Sequence, residues 1–328
     1  MKKINVVTDV FSEGTSWVLP DKYAEAIRAV SERVVLTVAQ SRGELQEALP
    51  EAEVVFGRAP AGDELPLARR LRWVQLASAG ANSILTPDFL RRDITLTTAS
   101  GVHPIQVSEH IFALLLAFAR RMHEYLAAQA DARWDKDPVE RTDELFEKTL
   151  GIVGLGHIGR EVARKAKVFG MYVLATRRQA QEHAAAPDVD ELLPPGRLPE
   201  LLERSDYLVL CVPQTAETTG LIGRRELALM KPSAVLVNIA RGPIVDEAAL
   251  VEALREGKLA GAGLDTFEQE PLPPDSPLWR LPNVIITPHT AGSSPRYWER
   301  ATALFCDNLD RYVHGKPLRN VVSRELGY

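Results

Sequence analysis

The chain of 328 residues is poor in cysteine and has no concentration of basic residues. Its two cysteines, Cys211 and Cys306, each lie in an apolar run, so we expect two buried free thiols. They provide neither a disulfide framework nor a cysteine zinc site, and we expect no metal. The formal net charge is −5 without a cluster of Lys and Arg, which argues against nucleic acid as the main partner.

Long hydrophobic runs are also absent. The longest purely apolar run, residues 111–119, is far too short to cross a bilayer. The first nine residues lack the apolar segment of a signal peptide. Apolar content of 45% and charged content of 25% are typical of a soluble globular protein. We therefore expect a cytoplasmic protein with no membrane partner.

The length suggests about two domains, and residues 1–100 have the pattern of one α/β unit. Strand patterns occur at 5–8, 34–38, 54–56, 73–76 and 94–98, and helical patterns at 22–30 and 43–49. This alternation predicts a parallel sheet. No glycine fingerprint follows the first strand. A later turn, residues 78–82 with Ala79 and Gly80, either presents N–H groups to an anion or is an ordinary turn.

A long helical pattern follows the first unit. Residues 104–125 read as one helix, at the point where the chain would cross between domains, and its stretch 111–119 is apolar on nearly all faces and is therefore expected to be buried. Residues 126–148 are polar and irregular, with Trp134 and Phe146 among charges. This segment is either an arm that packs on a second subunit or a surface loop.

The most informative motif is Gly154-x-Gly156-x-x-Gly159, which directly follows a short apolar run and opens a helical pattern through Phe169. A second apolar run at 172–175 completes a strand–turn–helix–strand unit that is typical of dinucleotide binding. Gly154 permits the tight turn, Gly156 allows the backbone to approach a pyrophosphate, and Gly159 lets the helix lie close to the strand. The N-terminus of the helix offers free N–H groups to the phosphates.

The second α/β unit continues to about residue 288. A Pro- and Ala-rich stretch occupies 184–199, and Asp246 caps a helix that ends at Gly257. Further strands are expected at 207–212, 234–240, 260–264 and 284–287. A last helix spans 294–314, and the tail at 317–322 is expected to return to the first domain.

Three polar residues come just after buried strands of this unit. Arg241 follows residues 235–240, Asp265 follows 261–264, and His289 follows 284–288. Glu270 lies five residues beyond Asp265. Ligands of open α/β sheets bind outside the carboxyl ends of the strands, so a guanidinium, carboxylates and an imidazole are expected to converge where a nicotinamide would lie.

These residue types suit the reduction of a 2-keto acid. The planar fork of an arginine can hold both the carboxylate and the carbonyl of such a substrate. A protonated histidine can stabilise negative charge on the carbonyl oxygen and then give up its proton. A carboxylate on the other ring nitrogen fixes the tautomer and favours the protonated ring.

Over essentially its whole length the sequence resembles the D-isomer-specific 2-hydroxyacid dehydrogenases. The most specific segments are NIARGPIVD at 238–246, GLDTFEQEPL at 263–272, NVIITPHTAG at 283–292 and VPQTAETTG at 212–220. The resemblance implies two doubly wound parallel-sheet domains: a Rossmann dinucleotide-binding domain, residues 101–289, inserted in a flavodoxin-like substrate domain, residues 1–100 plus 290–328. It also implies a homodimer, formed through the arm at 120–148.

The resemblance assigns roles to individual residues. Arg241 would bind the substrate, His289 would be the acid/base with Glu270 as its partner, and Ala79 and Gly80 would hold the substrate carboxylate. The positions that would contact the cofactor are Gly154, Gly156, His157, Ile158, Gly159, Thr176, Arg177, Arg178, Val212, Pro213, Thr218, Ala240, Asp265 and Gly292. Of these, Asp265 would contact the nicotinamide carboxamide.

One departure bears on the cofactor. NAD-preferring members of the family place an acidic residue at the end of the second strand, for the ribose 2′-OH, where this chain has Thr176, Arg177 and Arg178. This resembles the glyoxylate/hydroxypyruvate reductases that prefer NADPH, so we expect NADP(H) rather than NAD(H). The alternative is that the two arginines are solvated surface residues.

The sequence therefore predicts an NADP(H)-dependent oxidoreductase of a small 2-keto acid, glyoxylate or hydroxypyruvate. The alternatives are another D-2-hydroxyacid dehydrogenase, of the phosphoglycerate or D-lactate type, and a nicotinamide-sensing scaffold like the transcriptional corepressors that share this fold. The residues leave the keto acid and the physiological direction of the reaction open.

Overall fold

A computed structural model describes residues 2–10, 18–81, 84–134, 142–181 and 184–325. The chain divides into two compact units, residues 1–103 with 294–328, and residues 104–293. Each unit is an α/β structure with its own parallel sheet. No helix within the described ranges is long and apolar enough to cross a membrane.

The first unit is built on five parallel strands. They are β1 (Ile4–Asp9), β2 (Val34–Val38), β3 (Val54–Gly57), β4 (Trp73–Leu76) and β5 (Thr95–Thr97). Their order is β2-β1-β3-β4-β5, which is the flavodoxin-like order. The described helices of this unit are α1 (Asp21–Arg28), α2 (Arg42–Ala48), α3 (Pro87–Leu90) and α10 (Tyr297–Val313).

Both faces of this sheet are covered. Val7 and Val55 belong to one apolar cluster, whereas their neighbours Val6 and Val54 belong to another. Alternate residues of a strand point to opposite faces, so the strands read as continuous apolar runs. The tail returns to this sheet as expected, since the Val322 N–H donates to the Leu96 carbonyl at 2.9 Å.

The second unit is built on seven parallel strands. They are β6 (Thr149–Val153), β7 (Tyr172–Thr176), β8 (Glu191–Leu193), β9 (Tyr207–Leu210), β10 (Val235–Asn238), β11 (Gly261–Leu264) and β12 (Val284–Ile286). Their order is β12-β11-β10-β9-β6-β7-β8, so the chain winds outward from β6 in both directions, as in a Rossmann fold. The described helices are α4 (Pro104–Ala119), α5 (Met122–Ala130), α6 (His157–Val168), α7 (Leu198–Arg204), α8 (Arg224–Leu227) and α9 (Glu247–Arg255). The expected doubly wound α/β fold is confirmed.

The expected single helix over 104–125 is wrong. The chain forms α4 and α5, and Arg121 between them has φ 54°, in the left-handed region. Helix α5 then runs to Ala130, within the stretch expected to be irregular. The apolar pattern continues across the break because Met122 and Leu126 are apolar, although both are exposed. Part of the proposed arm, residues 135–141, lies outside the described residues.

The stretch 184–199 contains a strand that the sequence did not reveal. Strand β8 pairs with β7 in parallel and is the edge of the sheet. It has three residues, of which Leu192 and Leu193 are buried, and Pro194 follows at once. So short a run, next to prolines, gives no alternating pattern. By contrast, the predicted cap of α9 is confirmed, since Asp246 Oδ1 accepts the Ala249 N–H at 2.9 Å.

Candidate active site

His289 and Glu270 form a hydrogen-bonded pair after β12 and β11. Nδ1 of His289 lies 2.7 Å from Oε2 of Glu270, and Oε1 of Glu270 accepts the Phe267 N–H at 3.0 Å. The side chains are 46% and 36% exposed, so the pair is open to a small ligand. Burial raises the pKa of Glu270, but the hydrogen bonds from His289 and Phe267 and the charges of His289 and Arg241 outweigh it and lower this pKa below its ordinary value. Glu270 is therefore ionised at neutral pH.

Arg241 follows β10, the neighbour of β11 in the sheet. The buried side chain of Asn238 fixes the turn that carries it: Oδ1 accepts the Ala240 N–H and Nδ2 donates to the Arg241 carbonyl, each at 3.0 Å. The turn packs tightly on the backbone before Glu270, because a Cβ at Gly242 would lie 1.8 Å from the carbonyl carbon of Phe267. The guanidinium is partly exposed, and Nη1 donates to the Ala240 carbonyl at 2.5 Å.

Asp265 has a different environment from the other three residues. It is 1% exposed, and its carboxylate accepts the Thr290 and Ala291 N–H groups at 2.9 and 3.0 Å and the Thr287 hydroxyl at 2.6 Å. Both oxygens therefore hold the loop that carries His289. Its contact with a nicotinamide carboxamide stays a prediction.

The glycine loop is closely packed at its first and last glycine and open at its middle one. Gly154 has φ 102°, and a Cβ there would lie 2.9 Å from the Cys211 carbonyl. A Cβ at Gly159 would lie 2.2 Å from the Gly154 carbonyl oxygen, so the start of α6 lies directly on the loop. By contrast, a Cβ at Gly156 would meet nothing within 4 Å. Gly156 is the N-cap of α6 and gives the helix no side-chain cap, so the space beside the start of α6 is open at this position.

The three residues that end β7 lie beside this loop. Thr176 pairs with Val153 in register, and its carbonyl accepts the N–H groups of Gly154 and Leu155, each at 3.1 Å. The Thr176 side chain is buried, whereas Arg177 and Arg178 are exposed. Two guanidiniums therefore stand at the strand end where the ribose of a dinucleotide is expected.

The remaining predicted cofactor positions lie at the same edge of the sheet. Val212 and Pro213 follow β9, and Thr218 closes their loop because its hydroxyl donates to the Pro213 carbonyl at 2.7 Å. The Gly292 carbonyl accepts from Nε2 of Gln106 at 3.2 Å. The other positions of this set are Ala240, which is buried, His157, which is exposed, and Ile158, which is partly buried.

Ala79 and Gly80 lie in the first unit, just after β4. Ala79 is exposed and Gly80 is partly buried, and the Ser78 hydroxyl donates to the Gly80 carbonyl at 2.8 Å. Their own N–H groups donate to no acceptor in the part of the chain that the structure describes. Asn82, the last residue of this predicted loop, lies outside that part.

Three residues near the site were not identified from the sequence. Asn238 and Thr287 lie within the family-like segments, so their place in the sequence was a signal, but their hydrogen bonds were not foreseeable. His110 lies on α4, and its Nε2 is 3.0 Å from the Thr287 hydroxyl. A histidine more than 170 residues away along the chain gives no pattern that links it to the site.

The comparisons with known proteins agree with this geometry. Residues 112–291 match the family model described as D-isomer specific 2-hydroxyacid dehydrogenase, NAD binding domain. A glyoxylate reductase of Korarchaeum cryptofilum is 40% identical over 265 residues, which are 79% of this chain and 78% of that protein. A D-3-phosphoglycerate dehydrogenase of Methanocaldococcus jannaschii is 34% identical over 306 residues, 92% of this chain but 58% of that longer protein.

A solved structure is similar over almost the whole chain. The NADPH-dependent glyoxylate/hydroxypyruvate reductase of Sinorhizobium meliloti, in complex with NADP and sulfate, has a TM-score of 0.84 and 28% identity and covers 99% of this chain and 100% of its own. The matched family model covers more than half of this chain and includes the glycine loop, Arg241, Glu270 and His289. The chain therefore belongs to the family of D-isomer-specific 2-hydroxyacid dehydrogenases, with an NAD-binding domain of the Rossmann type.

Proposed function

We propose that this dehydrogenase reduces glyoxylate, hydroxypyruvate or a related small 2-keto acid with NADPH. The observation that carries the proposal is the pair of His289 and Glu270 at 2.7 Å, at the same sheet edge as Arg241. The glyoxylate reductase of K. cryptofilum and the NADPH-dependent reductase of S. meliloti support the choice of substrate and cofactor.

Each residue of the site has a defined task in this reaction. Nδ1 of His289 donates to the ionised Glu270, which leaves Nε2 to carry the proton for the substrate. Arg241 binds the carboxylate and carbonyl of the keto acid through its fork, and the N–H groups of Ala79 and Gly80 bind the carboxylate. His289 stabilises the negative charge that develops on the carbonyl oxygen and transfers its Nε2 proton to that oxygen.

The glycine loop and the end of β7 would hold the cofactor. The open space above Gly156 and the uncapped start of α6 fit a pyrophosphate. Arg177 and Arg178 offer exposed hydrogen-bond donors to a ribose 2′-phosphate, whereas the side chain of Thr176 is buried, and bonds between ionised groups are the stronger kind. When bound, NADPH supplies the hydride of the reaction.

A second substrate is supported by a separate observation. The D-3-phosphoglycerate dehydrogenase of M. jannaschii is similar over 92% of this chain, which favours a phosphorylated hydroxy acid. Its keto form, 3-phosphohydroxypyruvate, differs from hydroxypyruvate only in the phosphate, so the two are a matched pair for an assay.

The proposal is tested by nicotinamide absorbance. The purified protein is mixed with NADPH or NADH and with glyoxylate, hydroxypyruvate, 3-phosphohydroxypyruvate or pyruvate, and His289→Asn serves as the matched inactive variant. We expect the highest kcat/KM with NADPH and glyoxylate or hydroxypyruvate, and a large loss in His289→Asn. Preference for 3-phosphohydroxypyruvate would select the second substrate. Cofactor binding without turnover on any keto acid would contradict an enzymatic role and favour the nicotinamide-sensing scaffold.

The homodimer belongs to the same proposal. Exposed apolar side chains are concentrated on α5 and the segment after it: Met122, Leu126 and Trp134 are 46%, 58% and 94% exposed, and Phe146 is 60% exposed. Large exposed apolar patches mark protein contacts, and a second copy of this chain is the occupant that the family resemblance implies.

A further inference from the structure

Helix α4 lies unusually close to β11. A Cβ added to Gly261 would lie 2.6 Å from Cε1 of Phe118, and one added to Gly263 would lie 3.1 Å from Cδ1 of Leu114. Alternate strand residues share a face, and helix residues four apart share a side. The next residue on this strand face is Asp265, and the next on this helix side is His110.

His110 continues this contact with a hydrogen bond. Its Nε2 is 3.0 Å from the hydroxyl of Thr287 and 3.8 Å from Oδ1 of Asp265. The Thr287 hydroxyl donates to Asp265 at 2.6 Å, so its oxygen accepts from the Nε2–H of His110. The three side chains form a chain of donors and acceptors in which every polar atom of Thr287 and Asp265 is used.

This series of hydrogen bonds ends on the loop that carries His289. Asp265 accepts the N–H groups of Thr290 and Ala291, on the C-terminal side of His289, while the Thr287 carbonyl accepts the His289 N–H at 3.0 Å. His289 itself has φ 51°, a left-handed conformation that is unfavourable for a residue with a Cβ and persists only where the surroundings impose it.

Helix α4 also holds the far end of the loop. Gln106, one turn before His110, donates to the Gly292 carbonyl at 3.2 Å. Two side chains of one helix face therefore fix the start and the end of residues 287–292. The backbone of His289 lies between these two anchors.

We infer that His110 is a positioning residue, which acts through Thr287 and Asp265 to hold His289 in the orientation that its pairing with Glu270 requires. The inference rests on the proposed role of His289 as the proton donor. The hydrogen bond and ion pair of His110 go to Thr287 and Asp265 rather than to Glu270 or Arg241, so its effect passes through the loop. The competing interpretation is that His110 only packs within α4, so that its loss would lower stability without altering His289.

The test compares His110→Phe, which keeps an aromatic ring but has no donor, with His110→Gln, which restores an N–H donor. Thr287→Val and Thr287→Ser form a second such pair. Glu109→Gln is the matched control, because Glu109 is the adjacent residue of α4 with a side chain 66% exposed, 3.7 Å from Lys165. For each variant we would measure kcat and KM for the keto acid, the Kd for NADPH, the pH profile of reduction and Tm. NMR of the histidine side chains in the absence of substrate would report on the ring of His289. The signals of His289 would be identified as those that are missing from His289→Asn.

We expect His110→Phe and Thr287→Val to lower kcat by about 10- to 100-fold, since small displacements of a catalytic group have effects of this size. KM and Kd should change little, the alkaline limb of reduction should move to lower pH, and the NMR signals of His289 should shift. His110→Gln and Thr287→Ser should recover most of the loss. Unchanged kcat and His289 signals in His110→Phe would overturn the inference, as would equal losses in His110→Phe and His110→Gln. If wild type reduces no keto acid, the proposed function fails, but the NMR comparison still decides the role of His110.

Discussion

Oε2 of Glu270 lies 2.7 Å from Nδ1 of His289, and the pKa of Glu270 is held below its ordinary value. The carboxylate is therefore charged at neutral pH and favours the protonated ring, which reduction requires. Glu270→Gln removes this charge, so the alkaline limb of the reduction profile should move to lower pH. The measurement is kcat/KM against pH. Glu268→Gln, an exposed carboxylate two residues away, should leave the limb in place, and an unmoved limb in Glu270→Gln would disprove the pairing.

Arg241 should determine substrate affinity more than cofactor affinity. Arg241→Ala leaves a desolvated substrate carboxylate unpaired, which costs about 3–5 kcal/mol, or roughly 10²- to 5 × 10³-fold in kcat/KM for the keto acid. The Kd for NADPH, measured by fluorescence, should change much less. Arg241→Lys should recover only part of the loss because an ammonium lacks the planar fork. Arg225→Ala, an exposed arginine on α8, is the control; near-normal efficiency in Arg241→Ala would remove Arg241 from the site.

Arg177 should determine the choice between NADPH and NADH. Losing one charged contact to a 2′-phosphate costs about 1.5–3 kcal/mol, or roughly 10- to 100-fold in affinity. Arg177→Asp also repels the phosphate and accepts from a 2′-OH, so it should reverse the cofactor preference, mainly through KM. Both cofactors would be compared at one fixed keto-acid concentration, with Arg280→Asp as a charge-matched control. An NADH preference in wild type would sink the idea, whereas an unchanged ratio in Arg177→Asp would move the phosphate contact to Arg178 or elsewhere.

The α/β architecture and the positions of the site residues follow from sequence because they depend on short-range patterns. The apolar runs at 73–76 and 207–210 are buried strands, and each predicted polar residue follows a strand of a parallel sheet, whose carboxyl ends share one edge. The glycine spacing at 154–159 is equally local.

The parts that sequence did not reveal depend on single dihedral angles or distant contacts. The end of α4 is marked by one left-handed residue, Arg121, and apolar residues resume directly after it at Met122. The contact of His110 with Thr287 joins residues 177 apart in the chain. The burial of Asp265 against its own loop could not be distinguished from exposure to a nicotinamide, because both place a carboxylate after β11.

The protein should form a dimer, and a charge introduced on α5 or in the segment after it should disrupt this dimer. Leu126→Glu and Trp134→Glu place a carboxylate where exposed apolar side chains would otherwise be buried against a second copy. We expect wild type to have about twice the chain mass of 36.2 kDa by light scattering, and the variants to shift toward the monomer. Val35→Glu, at an exposed apolar residue of β2, is the control and should remain dimeric. A monomeric wild type at all concentrations would refute the proposed interface.

Asp9 should make stability depend on pH. Burial raises the pKa of this carboxyl to about 6, opposed by the charge of Arg58 and reinforced by that of Glu64. The folded state binds the proton more tightly than the unfolded chain, so the stability that Asp9 contributes is complete below its unfolded pKa and is lost as pH rises through about 6. The free energy of unfolding of Asp9→Asn relative to wild type should therefore be higher at pH 8 than at pH 5, by on the order of 1 kcal/mol.

The comparison uses urea denaturation of wild type and Asp9→Asn at both pH values. Asp63→Asn is the control, because Asp63 is an exposed carboxylate that also pairs with an arginine, at 2.8 Å. If the difference in the free energy of unfolding between Asp9→Asn and wild type is the same at the two pH values, the pKa of Asp9 is not raised by folding.

The two glycines of β11 have a consequence for protein engineering. A methyl group at Gly263 would meet Leu114 at 3.1 Å, so helix or strand has to yield by a few tenths of an ångström. The displaced helix carries Gln106 and His110, the anchors of the loop at 287–292. We therefore expect the activity of this enzyme to be adjustable from its apolar interior: a larger side chain at the uncharged position 263 should alter the alignment of His289, the proposed proton donor.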